Sequence, residues 1–361
     1  MEQIKRRKPI PQPDNYPIGP YIEVTENLRA EIRRHNRETR KPEDLPGRDE
    51  TKPRVNDGFV IVTGFDVSRP TGPYIYCALC GMGHYQGYII WFRDQWLRTI
   101  GHNCGHTHFG AGFREAVDAF TEAESRRLRI DQLNEISKLL PEVLGEIMGG
   151  PLELAAGRCE AFMRRLGDEM PKLYDGLFNV VRREDGFLSI LRRRDKGVRS
   201  VISDAVRSAS GRGRVAEDEY SPVGQINAGA LFKGALGAKG LVNRARARLL
   251  AVKRALSEKS TEDMSVEDQK RILDEARLAV RDLSDVRDKL AQMPGFVSPQ
   301  STIAIVKHFN DRAGETVYSP VNRGFRLHDG AISVDVVLDA RFAPFTFEKI
   351  PAFAYVISAA F

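Results

Sequence analysis

Cysteine is scarce in this chain, with four in 361 residues. That is too few for the disulfide frameworks that hold small secreted domains together, and it predicts a reducing, cytoplasmic setting. Long apolar runs are missing too. None approaches the roughly 20 residues needed to cross a bilayer, so no membrane partner is expected. The first residues, Met1-Glu2-Gln3-Ile4-Lys5-Arg6-Arg7-Lys8, lead into prolines with no apolar core, which predicts no secretory signal. Catalytic signatures are also lacking: there is no Ser-His-Asp order, nucleophile elbow, dinucleotide fingerprint or kinase set. The small-residue run 224–240 lacks the Gly-Lys-Ser/Thr ending and the preceding strand of a phosphate-cradling loop. It reads instead as a flexible joint or a close helix contact. These absences lean against an enzyme. Charge of one sign is lacking as well: 55 Lys and Arg face 49 Asp and Glu, a net charge of +6. Such a balance permits a nucleic-acid partner without demanding one.

What is present divides the chain into six parts. Residues 1–57 form a proline- and charge-rich arm, with one short helix over 25–38 that Thr25 can cap. Residues 58–128 hold the β-prone runs Phe59-Val60-Ile61-Val62, Tyr88-Ile89-Ile90-Trp91-Phe92 and Trp96-Leu97-Arg98-Thr99-Ile100. Arg93-Asp94-Gln95 between the last two is a hairpin turn signal. From about Gly112 the apolar period becomes 3.6. A basic helical region is expected over 129–206, with breaks at Pro141, Gly149-Gly150-Pro151 and Pro171, and a linker over 207–225. Two long helices, 226–258 and 265–293, carry matching stripes: Leu241, Ala245, Leu249 and Val252 on one, Leu273, Ala276, Leu283 and Leu290 on the other. The stripes and the short polar connection predict an antiparallel, coiled-coil-like hairpin. Residues 294–361 read as a small α+β tail. In it Asp329-Gly330 turns a hairpin, and residues 352–361 return as a third strand. The expected fold class is mainly α with a small β-containing module.

The cysteines are more informative by placement than by number. Cys77-x2-Cys80 is followed, after 23 residues, by Cys104-x3-His108. Zinc takes four thiolate or imidazole donors tetrahedrally at about 2.0–2.3 Å. A Cys-x2-Cys turn brings two sulfurs to one point, and Cys104 and His108, four apart, share a helix face. The expected ligands are therefore Cys77, Cys80, Cys104 and His108. His106 and His84 are open alternatives for the fourth place, and His102, preceding the turn, is the least favoured. Cys159 sits in a helical run and reads as a buried small hydrophobe.

The order of knuckle, aromatic hairpin and helix, with Gly101-x-x-Cys104-Gly105-x-x-His108-Phe109-Gly110, resembles a treble-clef zinc finger over about residues 74–120. The resemblance implies a structural zinc ion with no open coordination position. Arg182, Arg183, Arg192, Arg193, Arg194 and Lys196 form a basic stretch that could meet phosphate, although acids interleave with it. Three functional readings follow. The first is a zinc-stabilised binding or scaffold protein that contacts DNA or RNA. The second is an assembly protein that pairs with itself or another protein through helices 226–293. The third is a metal-dependent nuclease.

Overall fold

The computed structural model of the chain describes residues 24–39, 42–45, 48–53, 58–67, 74–148, 150–183, 185–193, 218–312, 316–330, 332–343 and 345–358. Among these the protein is mainly helical with small antiparallel sheets, and it divides into two units, Met1–Arg127 and Leu128–Phe361. The first part of the arm, Arg194, Lys196 and most of the expected linker lie outside the described residues.

The first unit is built on a three-stranded antiparallel sheet of order β1-β4-β5, where β1 is Phe59–Asp66, β4 Gln86–Phe92 and β5 Leu97–Gly101. Its strands read as almost continuous apolar runs because both faces are covered. Val62, Ile89 and Leu97 point to one core with Val24, Ile32 and Leu45 of the arm. Ile61, Ile90, Phe92 and Ile100 point to another with Phe113 and Val117. Residues 24–53 are therefore partly built into this unit. Helix α1 (Glu26–Thr39) begins as expected, its Leu28 amide donating to Thr25 Oγ1 at 3.3 Å.

Arg98 of β5 is fully buried, and it joins the arm to the turn between β4 and β5. Its guanidinium donates to Asp94 Oδ1 at 2.8 Å, Asp49 Oδ2 at 3.1 Å and the Thr51 carbonyl at 2.7 Å. A charge this deep persists only because each of these acceptors is in place.

Two very short strands, β2 (Ile75–Tyr76) and β3 (Gly83–His84), form a second sheet around the Cys77–Cys80 turn. Helix α2 spans His102–Ile147 and carries a break at Gly110, whose φ of 62° lies outside the helical region. It runs through Pro141, contrary to the expected break there. Burial of Leu140, Val143, Leu144 and Ile147 outweighs the hydrogen bond the proline forfeits.

In the second unit α3 (Pro151–Glu169) and α4 (Pro171–Arg183) each open on a proline, where the missing N–H costs nothing. Residues 187–193, expected to be helical, form strand β6 (Phe187–Arg193), paired antiparallel with β7 (Asp218–Gln225). The second half of the expected linker is thus a strand. The Ser189 and Leu191 amides of β6 are capped by His308 Nδ1 at 3.0 Å and Asp311 Oδ2 at 2.7 Å.

Helix α5 is Ala238–Glu258 and α6 is Val266–Phe296, so residues 226–237 are not helical as expected. Arg244 pairs with Asp282 and Arg248 with Glu275, a register in which the two helices run antiparallel. Ser265 caps α6 by accepting from the Asp268 amide at 3.1 Å. The expected stripes are buried, but α6 also buries Gln269, Ile272, Ala279 and Met293. It is therefore an interior helix of this unit rather than one half of an isolated two-helix seam.

Helix α7 is Pro299–Arg312. A sheet of order β10-β9-β8 follows, from β8 (Val317–Val321), β9 (Gly324–Asp329) and β10 (Ile332–Val337). The third strand is β8, not residues 352–361. Residues Ile350–Ser358 form helix α8, which buries Ile350, Phe353 and Ile357 at helical spacing.

Candidate metal centre

Four side chains of the first unit converge on one point. Cys77, Cys80, His84 and Cys104 each present a donor atom, and these atoms all lie within 4.8 Å of one another. His84 Nε2 is 3.6 Å from Cys80 Sγ and 3.7 Å from Cys104 Sγ. A tetrahedral ion with Zn–S and Zn–N bonds of about 2.3 and 2.0 Å sets S···N edges near 3.5 Å. The Cys80–Cys104 edge is tighter, at 3.1 Å, yet far longer than a disulfide's roughly 2.05 Å. All four cysteines of the chain are free thiols. Three thiols and one imidazole are a donor set suited to zinc, and the group is one that could hold a metal ion.

Local backbone geometry builds the cluster. The Gly81 amide donates to the Cys77 carbonyl at 2.8 Å and the Cys77 amide to the Met82 carbonyl at 2.9 Å, closing the turn. Gly81 has a φ of 68°, which a residue with a Cβ adopts only at a cost. Within the turn, Leu79 N–H points to Cys77 Sγ and Met82 N–H to Cys80 Sγ, each at 3.4 Å. Such donors favour the thiolate. The turn is pinned to β5, where the Ala78 amide donates to the Thr99 carbonyl at 2.9 Å and Thr99 Oγ1 donates to the Tyr76 carbonyl at 2.7 Å.

His84 reaches the cluster because Gly101 has no side chain. A Cβ there would lie 2.5 Å from His84 Cγ and Nδ1. The imidazole thus rests on the backbone of the residue that precedes α2, and Cys104 in the first turn of that helix meets it. Helical side chains lean toward the N-terminus, and a residue one turn further on lies about 6 Å along the axis. His108 is exposed and is not in the group.

The electrostatics fit a cation. Burial pushes the Cys77 thiol up, and the neighbouring Cys80 adds to this while backbone amides of Gly101, Cys80 and Leu79 oppose it. Cys104 is raised strongly, first by burial and then by Cys80 and Cys77 beside it. Burial lowers His84, which keeps its imidazole neutral and able to donate a lone pair. Thiols that raise one another's pKa are the arrangement a divalent cation relieves by replacing their protons.

The remaining sequence-selected residues fall elsewhere. His102 is exposed with Nδ1 3.4 Å from Tyr88 Oη, and its ring meets that of His106 edge-on at 4.6 Å. Asp94, an acid near the cysteines in sequence, is held by Arg98. Cys159 is buried in the second unit. Arg182 and Arg183 are exposed at the end of α4, Arg192 is exposed on β6, and Arg193 ends that strand. The motif marks Gly101 as the step from strand into the Cys-bearing helix, but the space it leaves for His84 serves a residue 17 positions earlier in the chain and is not legible in the spacing.

Comparison with models of known protein families, with curated proteins and with solved structures returned no match for this chain.

Proposed function

We propose that this chain is a zinc-stabilised binding protein whose metal is structural, held in a treble-clef-type module by Cys77, Cys80, His84 and Cys104. The observation that carries the reading is the set of four protein donors drawn from the Cys77–Cys80 turn, β3 and α2. Four protein ligands fill a tetrahedral zinc site, which leaves no position for a substrate or an activated water. The partner we infer is nucleic acid, supported by the excess of cations and by the exposed Arg182, Arg183 and Arg192.

Two measurements test this. Elemental analysis should return one zinc per chain, lost together with local folding in Cys104→Ala. Binding to labelled DNA and RNA should weaken steeply as salt rises, because phosphate contacts release counterions. An absence of binding at low salt refutes the nucleic-acid part and leaves a scaffold that meets another protein.

A further inference from the structure

The glycine-rich segment before α5 has no part in the four-donor group, yet it frames two cavities of the second unit. One hollow, of about 500 Å³, lies between α4 and residues 229–234. Phe178, Val181 and Phe232 give it apolar walls, Gly229 and Gly234 form its backbone rim, and Arg182 and Lys233 bring two cations to it. Among the described residues no carboxylate lines it. A second hollow of about 350 Å³ adjoins it across Phe232 and Gly234.

The walls are tied to the helices around them. Lys289 of α6, 4% exposed, donates to the carbonyls of Ala230 at 2.7 Å and Lys233 at 2.8 Å. Gln292 accepts from the Ala230 amide at 2.8 Å. Phe232 is wedged among Tyr174, Phe178 and Phe296, with ring centroids 5.4, 6.5 and 6.1 Å away. The two cations differ in freedom. Lys233 is paired with Asp285 at 3.0 Å. Arg182 lies over the Phe178 ring at 5.7 Å and, among the described residues, makes no hydrogen bond or ion pair. An apolar hollow of a few hundred Å³, lined by a guanidinium that forms no ion pair among the described residues, has the make-up of a small-molecule site.

We propose that this hollow binds a small amphipathic organic anion, its apolar body against Phe178, Val181 and Phe232 and its anionic group on Arg182. The shared chemistry is an aryl or alkyl group bearing a sulfonate, carboxylate or phosphate.

The test uses the full chain and two fluorescent probes of nearly the same shape, 8-anilinonaphthalene-1-sulfonate and the uncharged N-phenyl-1-naphthylamine. The sulfonate should bind one saturable site with a micromolar dissociation constant. Arg182→Gln should weaken it about tenfold, the loss of one charge-assisted contact, and leave the uncharged probe unchanged. Gly229→Leu should abolish binding of both by filling the hollow, since a Cβ at Gly229 has nothing within 4 Å. Near-ultraviolet circular dichroism of each variant checks that it is folded. Unsaturable binding, an Arg182→Gln protein that binds the sulfonate as before, or equal weakening of both probes would overturn the proposal. So would displacement of the sulfonate by inorganic phosphate at the concentration at which decyl sulfate displaces it, because the apolar walls would then contribute nothing.

Discussion

Replacing Gly101 by alanine should cost this protein its metal affinity although Gly101 is not a ligand. The added methyl carbon would fall 2.5 Å from Cγ and Nδ1 of His84 and 2.6 Å from its Cδ2. Carbon contacts settle at about 3.5–4.0 Å, so the ring must retreat by about 1 Å. Metal–ligand distances tolerate only about 0.2 Å, so His84 leaves the coordination sphere. Structural zinc contributes about 10–16 kcal/mol in small modules. Shared among four ligands, the loss of one is about 3 kcal/mol, or two decades in the dissociation constant. Competition with a chromophoric chelator measures this, with elemental analysis for stoichiometry. Gly112→Ala is the control. A Cβ there meets nothing within 4 Å, and alanine is the better helix former by up to about 1 kcal/mol. It should leave affinity unchanged. The double variant His84→Ala/Gly101→Ala should bind no more weakly than His84→Ala alone, since the methyl acts through the imidazole. Full affinity in Gly101→Ala, or additive losses in the double variant, would refute the reasoning.

Three further outcomes are expected. His108→Ala should keep one metal per chain with its affinity within a factor of about two, since His108 is exposed and outside the donor group; a loss matching that of His84→Ala would return the fourth ligand to the helix. Arg98→Met should cost the first unit about 3–5 kcal/mol in urea unfolding, because it leaves Asp94, 4% exposed, without its 2.7 Å partner; a cost under about 1 kcal/mol would show that the pairing contributes little. Asp282→Ala removes the acceptor of Arg244 at 2.6 Å and of Arg248 at 3.5 Å. Because both arginines retain solvent contact, the expected cost is only about 1–2 kcal/mol, measured by thermal or urea unfolding.

The local devices were readable in the sequence. Thr25 as a cap, the helix breaks at Gly149-Gly150-Pro151 and Pro171, and the two hairpin turns at Arg93-Asp94-Gln95 and Asp329-Gly330 all act within a few residues. The misread elements depend on partners far away in the chain. Strand β6 carries arginines that suit a solvated helix, but its amides are taken by side chains of α7 about 120 residues later. In the last segment, composition suggested a strand, while the spacing of Ile350, Phe353 and Ile357 already held the helical period. The donor set shows the same limit. Cys80-x3-His84 and Cys104-x3-His108 have the same spacing, and helix periodicity favoured the second. The register that sets His84 opposite Ile75, and the bare backbone of Gly101, bring His84 rather than His108 to the three cysteines.

The four-donor cluster joins elements that could not stand alone. β2 and β3 have two residues each, far below what an independent hairpin requires. What holds them is the burial of Ile75 in one core and of Ala78 and Leu79 in the other, the Cys77–Cys80 turn, two hydrogen bonds that involve Thr99, and the four-donor cluster. The sheet β1-β4-β5, by contrast, has apolar cores on both faces, and only the one with Phe113 and Val117 also includes Cys77. Chelation should therefore release the module in a fixed order. In hydrogen exchange of the full chain, amides of residues 75–84 and the first turn of α2 should lose protection first. Ile61 and Ile90 should remain protected, because local opening follows local contact density. The separation between the two sets should exceed tenfold in exchange rate, about 1.4 kcal/mol. If Ile61 and Ile90 lose protection together with Cys77 and Cys80, the metal organises the whole first unit, and the sheet's own packing is not what keeps it folded.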